Sequence, residues 1–456
     1  MKFTPSIDKN FKPMILVLND FDEKVKVSKD KTPFAFCVER NDEYRYVYKM
    51  NVYKDGTGHD EENYSIVERL VKTVLWTVGG FKIYVAGSTF IADKLKKAYA
   101  VGGAREFDAK LMSKVYEKDF EVVSCTFSSL PEKKSCSMTV GGHLDGCRIG
   151  FDAGGSDRKV SAVIDGEVVY SEEVVWSPKL NSNPDYHYEG ILTAMKTAAS
   201  KMPRVDAIGV SSAGIYVANR IMIASLFVKV SDSDFEKKVK SMYIDVAKTF
   251  GDVPLEVAND GDVTALAGAI DLNDNCVLGI AMGTSEAAGY INAKGGINGW
   301  LSELAFVPVD FNKDACVDEW SGDIGCGVKY FSQDGVIKLA ELGGYKFEEG
   351  LSPAEKLKVV QRMMEEGSPL AERIYTDIGI YLGYTLPFYA KFYDIKHLLL
   401  LGRVTSGKGG DLIIKTAKEV LCEEFPEYKD LDLSMPDEKN RRVGQSIAAA
   451  SLPAIK

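Results

Sequence analysis

The sequence predicts an α/β fold of two similar halves across the carboxyl-terminal two-thirds of the chain, with an extra module ahead of them. Three observations carry this. Residues 149–165 read as strand, Gly154-Gly155 turn, strand: a β-hairpin with Asp152 at its mouth. Residues 255–270 pass from a short strand through Asn259-Asp260-Gly261-Asp262 directly into an alanine-rich helix. Residues 276–291 repeat the hairpin pattern, with Gly283-Thr284-Ser285 at the tip.

Composition narrows the function. At 456 residues the chain can build two to four domains. A net charge of −10 argues against nucleic acid or an anionic membrane as the main partner. No apolar run approaches the roughly 20 residues that span a bilayer, and residues 1–13 are too polar for a signal peptide. The eight cysteines are scattered without a C-x-x-C pair, as expected of reduced thiols in a cytoplasmic protein. Four histidines, far apart, give no metal signature. Homo-oligomerisation is left open.

In order, residues 1–147 read as a unit of α/β or α+β type. Short strands are expected at 34–38, 45–48 and 52–53. A helix at 62–76 carries Ile66, Leu70 and Val74 beside Val67, Val71 and Leu75, two adjacent i, i+4 rows. A strand at 82–86, helices at 90–99 and 108–115, and a strand at 120–125 follow. Gly87-Ser88 could hold an anion at a helix start, but such a pair more often makes a plain βα turn. Residues 128–136 read as a linker. Beyond the first hairpin come a strand at 167–171, a helix at 188–201, a strand at 206–211 and a helix from Asp232 to Val246. After the second hairpin the chain is mostly helical, at 328–342, 353–366 and 369–393. A buried strand at 397–401 then leads through Gly402-Arg403-Val404-Thr405-Ser406 to a helix at 411–421, and a short helix at 445–451 ends the pattern.

The motifs support phosphate chemistry. Glycines without Cβ let a phosphate approach backbone N–H groups, and the Ser156 hydroxyl adds a donor. Asp152 at the strand end can hold hydrated Mg²⁺. The plain alternative is a surface hairpin. Asn259-Asp260 lies where a strand end meets a helix start, the place where open α/β sheets bind ligands. The helix dipole is expected to lower the Asp260 pKa and keep it ionised, fit to take a proton from an attacking alcohol. The alternative is an Asp cap, a job Asp262 could do instead. Glu286, beside the second turn, would repel a phosphate.

In this order the motifs resemble the ROK (repressor, open reading frame, kinase) sugar kinases of the actin/hexokinase/Hsp70-like superfamily, from about Arg148 onward. The resemblance implies two actin-like (ribonuclease H-like) ATPase halves. The first half would be 148–262, completed by a helix at 443–456, and the second 263–442. Asp152-x-Gly154-Gly155-Ser156, with Asp165 at its end, looks like the first phosphate loop, and Gly283-Thr284 like the second. Asn259-Asp260 looks like the family's N-D with its catalytic base. Glu303 looks like the sugar-contacting Glu, and the run through Gly402 to Ser406 like the adenosine side. Gly367-Ser368-Pro369-Leu370-Ala371 resembles the family's G-D-P-x-A helix start.

Departures are as informative. The family's G-E-x-G-H is Ser302-Glu303-Leu304-Ala305-Phe306 here, so the His shared by sugar and zinc is gone. The cysteine cluster is reduced to Cys316 and Cys326, so no structural zinc is expected. Arg403 stands among the adenosine-side glycines. The family's sugar-contacting Asn has Ser225 as its nearest counterpart. The resemblance thus implies ATP and Mg²⁺ as cofactors and a sugar-like small molecule as substrate. Asp260 would be the base, Asp152 would hold Mg²⁺ through water, and Asn259, Glu303 and Ser225 would be on the acceptor. Two alternatives are a non-catalytic sugar or nucleotide sensor and a partner-coupled ATPase. Residues 1–147 do not resemble the winged helix-turn-helix of the family's repressors.

Overall fold

The computed structural model describes residues 1–135, 140–436, 444–445 and 447–455. Residues 1–13 strap across the second half: the N–H groups of Ser6 and Ile7 donate to the Asp377 carboxylate at 2.7 and 2.8 Å, and Pro13 pairs with Asp310. The module then opens with α1 (Met14–Val27), which buries Met14, Ile15, Leu18, Phe21 and Val25 on one face. No element was expected there. β1 (Lys31–Glu39) and β2 (Arg45–Tyr53) form one long antiparallel hairpin where three short strands were expected. α2 (Asp60–Thr77) starts on three acids, Asp60, Glu61 and Glu62, that complement its dipole. It buries every residue from Ile66 on, because the module's sheet covers one side and the second half the other. β3 (Lys82–Ala86), α3 (Thr89–Ala98), α4 (Glu106–Tyr116) and β4 (Glu121–Cys125) complete a sheet of order β2-β1-β3-β4. At Gly87-Ser88 the βα-turn reading fits: Ser88 Oγ caps α3 through the Ile91 N–H.

The first half is built on β5 (Cys147–Ala153), buried along its whole length, with β6 (Asp157–Ile164) and β7 (Glu167–Val175) as antiparallel neighbours. α5 (Pro184–Ala199) crosses to β8 (Ala207–Ser212), parallel to β5. A small hairpin, β9 (Ile215–Val217) and β10 (Arg220–Ile223), was not expected. The helix expected from Asp232 is broken: α6 (Asp232–Asp234) passes through a π turn into α7 (Met242–Lys248). β11 (Leu255–Asn259), parallel to β8, runs without a loop into α8 (Asp260–Leu272).

The second half repeats the scheme. β12 (Val277–Met282) and β13 (Glu286–Ile291) form its hairpin. After α9 (Gln333–Leu342), α10 (Pro353–Glu365) and α11 (Pro369–Tyr389), β14 (His397–Leu401) lies parallel to β12. α12 (Lys408–Glu424) and β15 (Asp432–Ser434) follow. The sheets read β11-β8-β5-β6-β7 and β13-β12-β14-β15. Each places a hairpin beside strands parallel to its first member, which is the predicted pseudo-repeat.

The cores divide unevenly. That of the module is continuous with that of the second half and takes in Ile215 of the β9–β10 hairpin, whereas the rest of the first half has its own. A small third core joins α8 to Ala448, Ala449 and Leu452. Buried Arg148 anchors this tail by donating to Pro453 O at 2.7 Å. Of the helix expected at 443–456, residues 443, 446 and 456 lie outside the described residues.

Candidate active site

The first hairpin, β5 to β6, turns at Gly154-Gly155. Gly154 admits no side chain: a Cβ there would sit 2.7 Å from the Asp157 carbonyl oxygen. Trp176, buried after β7, grips the turn from behind, its Nε1–H donating to Gly154 O and its N–H to Ser156 O at 2.8 and 3.1 Å. This leaves Gly155 and Ser156 exposed. Asp152, at the end of β5, is buried, and burial raises its pKa; a 2.8 Å bond from the Ser211 hydroxyl works the other way. Asp165 lies at the far end of the hairpin, where it accepts the Gly146 N–H at 2.8 Å.

Lys179 is the cation that sequence reading missed. It follows Pro178 in a single turn whose carbonyl lies 3.0 Å from Nε2 of buried His187. The turn folds back so that Lys179 Nζ stands 3.3 Å from where a Gly155 Cβ would be. Its charge reaches Asp260, opposing the rise in that carboxyl's pKa. Lys179 makes no ion pair with any described residue. Nothing in its local sequence marks it, since only the fold brings this turn to the hairpin.

At the β11–α8 junction the cap is Asn259, not an aspartate. Asn259 Oδ1 accepts the Gly261 N–H and its Nδ2 donates to Gly214 O, both at 2.7 Å. Asp262 is tied to the neighbouring strand through the Tyr290 N–H at 3.0 Å. Asp260 is thereby free, half-buried at the first position of α8. Its pKa is not lowered as expected. Burial, then the nearby Asp152 charge, push it up to about 6, against a 3.1 Å bond from the Gly261 N–H. The dipole of one helix end, about 0.3–1 kcal/mol at an exposed site, loses here to desolvation and a like charge.

The second hairpin carries Gly283 and exposed Thr284 at its turn. Arg403 reaches the Thr284 hydroxyl at 3.4 Å, and Gly402, at φ 96°, packs so closely on β12 that a Cβ would lie 2.3 Å from Met282 O. The end of β14, and Ser406 exposed after it, are thus set beside the second turn. Glu286 turns away from the cleft, contrary to expectation. It is 3% exposed, with neither carboxyl oxygen hydrogen-bonded to protein, and burial, then Glu303, raise its pKa well above the usual range. Neutral and inward, it does not repel an anion at Thr284.

Glu303 sits in a loop held by the module. Its N–H donates to Trp76 O at 3.0 Å, and that of Ser302 to Thr77 O at 2.9 Å, so the carboxyl end of α2 fixes the loop. Phe306, standing where the family's His would be, stacks on Trp76 at 4.1 Å. Burial and Asp260 push Glu303 up to about 7; burial, then Glu303, do the same for Asp262. Ser225 is exposed on the first half, outside the cavity that Asn259 and Asp262 line. Cys316 is exposed and Cys326 buried. Among the described residues no group of three or more His, Cys, Asp or Glu is placed to hold a metal ion, and no helix is long and apolar enough to cross a membrane.

No family model matches the sequence, and no curated protein does. Solved structures do match the fold. The chain is similar to a ROK hexokinase from Thermus thermophilus, with a TM-score of 0.52 and 16% identity over 66% of this chain and 97% of that one. It is also similar to a ROK family transcriptional regulator, a homolog of the E. coli MLC protein, with a TM-score of 0.53 and 16% identity over 68% and 79%. The fold is therefore that of the ROK, actin-like proteins, with additional structure beyond the matched two-thirds.

Proposed function

We propose that this chain is an ATP-dependent kinase that phosphorylates a hydroxyl of a sugar or sugar-like small molecule. The observation that carries the reading is the placement of Asp260, uncapped and raised to about 6, near Asp152 and Glu303 and within the field of Lys179. A base with a pKa near 6 is ionised at neutral pH yet basic enough to accept a proton as the alcohol attacks. The unit boundaries near 147 and 262 belong to the same proposal.

The residues fit Mg·ATP: the Gly154 cradle has no room for a side chain, Gly155, Ser156 and Thr284 are open, and Lys179 supplies an uncommitted charge. Gly154, Gly155, Ser156, Gly283 and Thr284 would hold the phosphates, Gly402 and Ser406 would flank the adenosine, and Asp152 would hold Mg²⁺ through water. When bound, Mg²⁺ neutralises charge on the transferring phosphates. Asp260 takes the proton of the acceptor O–H as that oxygen bonds the γ-phosphorus, and the bond to the β-phosphate oxygen breaks to release ADP. Glu303, at about 7, is poised to exchange a hydrogen bond with the acceptor. The rest is positioning and exclusion of water as the halves close.

The test is ADP release with Mg·ATP across hexoses, N-acylated hexosamines and polyols, beside Asp260→Asn. Acceptor-dependent release that falls at least about 10²-fold in the variant is expected. Release indifferent to every acceptor would replace this reading with a partner-coupled ATPase. Sugar or nucleotide binding without release would replace it with a sensor.

A further inference from the structure

We infer that Lys179 meets the terminal phosphate of the bound nucleotide, and that buried His187 is the positioning residue that aims it there. The inference deepens the kinase reading and rests on it for the identity of the ligand; the arrangement of the residues stands on geometry. Residues 176–180 leave β7 as a short turn, and the start of α5 holds that turn by its main chain. Ser177 donates its N–H to the Tyr186 hydroxyl at 3.0 Å. Nε2 of His187 faces the Pro178 carbonyl at 3.0 Å, so the ring proton sits on that nitrogen when the bond forms. The His187 ring is fully buried, packed on Phe227 at 4.9 Å and on Trp176 at 6.3 Å. Trp176 in turn donates to the carbonyls of Gly154 and Ser156. One buried pair of rings therefore sets both the phosphate turn and the turn that carries Lys179.

Three observations aim Lys179 at a phosphate. Its Cε and Nζ stand 3.2 and 3.3 Å from where a Gly155 Cβ would be, so the side chain missing at Gly155 is the room the ammonium uses. Its charge also reaches Asp260. One cation thus lies against the phosphate turn and within range of the proposed base, the interval a terminal phosphate occupies while the base serves the attacking oxygen. Finally, the charge is uncommitted. Lys179 is exposed and pairs with no described acid, and Asp157 of the same hairpin is taken by Lys159 at 3.4 Å. An exposed lysine is ordinarily a mobile point charge. Here its main chain is already fixed, so ordering on a ligand costs side-chain freedom alone. A triphosphate gives this ammonium a partner and a diphosphate does not, so the turn distinguishes Mg·ATP from Mg·ADP.

The experiment uses the full chain and reads binding apart from turnover. Melting temperature is followed against Mg·AMPPNP and Mg·ADP in the parent and in Lys179→Met, which keeps an apolar stem and removes the charge. The half-maximal Mg·AMPPNP concentration should rise at least about tenfold, the loss of one charge-assisted contact, with that for Mg·ADP within about threefold of the parent. His187→Leu should reproduce this selectivity. Combined with Lys179→Met it should change the Mg·AMPPNP value by less than about twofold further, because it acts through the lysine. If His187→Leu does not fold, Tyr186→Phe takes its place, with a smaller rise and the same lack of additivity. The inference is overturned if Lys179→Met leaves Mg·AMPPNP protection unchanged, if it weakens Mg·ADP equally, if the two substitutions add in full, or if neither nucleotide protects the parent. The expected protection pattern without ADP release for any acceptor would instead remove the kinase reading and leave Lys179 on the terminal phosphate. Acceptor-dependent ADP release untouched by Lys179→Met would do the reverse.

Discussion

The module meets the two halves in opposite ways. Against the second half it shares a continuous core and a buried ion cluster, in which Asp323, 4% exposed, meets Arg69 at 2.9 Å, Lys72 at 2.6 Å and Arg105 at 2.8 Å. Against the first half it packs α4 on the small β9–β10 hairpin, burying Ile215, and otherwise offers pairs at the surface, Glu117 with Arg220 at 2.6 Å and with Lys240 at 2.7 Å, beside a cavity lined from all three units. A dry, charge-saturated joint resists sliding, whereas surface pairs exchange easily with water. The module and second half should therefore move as one body, with the first half closing against both. The loop that carries Glu303 belongs to the rigid side, pinned by Trp76 and Thr77.

The sharpest way to break this comparison is Asp323→Ala. Burial alone would raise the Asp323 pKa, but Arg69, Lys72 and Arg105 together outweigh it and hold the carboxyl well below the usual range. Removing it leaves buried Arg69 and Arg105 sharing Glu68 alone and Lys72 with Asp108 at 3.8 Å, an uncompensated buried positive charge, and a loss of about 3–5 kcal/mol in urea unfolding is expected. A loss below about 1 kcal/mol would mean the joint is no firmer than the exposed one. Because the pKa is lowered on folding, this contribution is present above the unfolded-state value and fades as pH falls through the folded one.

Next in size is the pH dependence of turnover, which reads the cleft between the two bodies. Asp260 must be ionised to accept a proton, so kcat/KM should fall about tenfold per pH unit below about 6. Asp260→Asn should abolish that limb. A limb near 4 would mean closure rehydrates the carboxyl rather than desolvating it.

Much of this was legible in the sequence, and the failures share a cause. The hairpins, the β11–α8 junction and the α2 stripe were visible because each rests on local periodicity or glycine chemistry. The α6–α7 break and the continuous module core were not, because they depend on what packs across from them. At the site, Asp260, Gly154 and Gly283 announced themselves through motifs. Lys179 and Trp176 lie in a stretch with no signature, and Asn259 holds the cap that Asp260 or Asp262 could have filled. The inward turn of Glu286 depends on Gly327, where a Cβ would lie 2.3 Å from its Oε2, some forty residues away in sequence.

On the first-half side the expected effects are smaller. Burial pushes Glu256 up to about 7 from 4.5, so the folded state holds its proton more tightly than the unfolded one. Its contribution to stability is full below 4.5 and is lost as pH rises through 7. Glu256→Gln should therefore flatten the decline in melting temperature between pH 5 and 8. An unchanged slope would place Glu256 in bulk-like water and open the cavity to solvent.

The smallest effect belongs to Glu117→Gln. Glu117 is 40% exposed, and its partners hold its pKa down through hydrogen bonds at the protein surface. Pairs of this kind contribute about 0.2–1 kcal/mol and are screened by salt. The variant should unfold within about 1 kcal/mol of the parent, and within error of it at high salt. Its consequence should be kinetic instead: with both pairs removed, the first half is freer to open, so KM for the acceptor should rise while the ADP-release rate at saturation holds. If melting falls as far as in Asp323→Ala, the module is bonded equally to both halves. Closure would then have to carry the module across the cleft rather than meet it there.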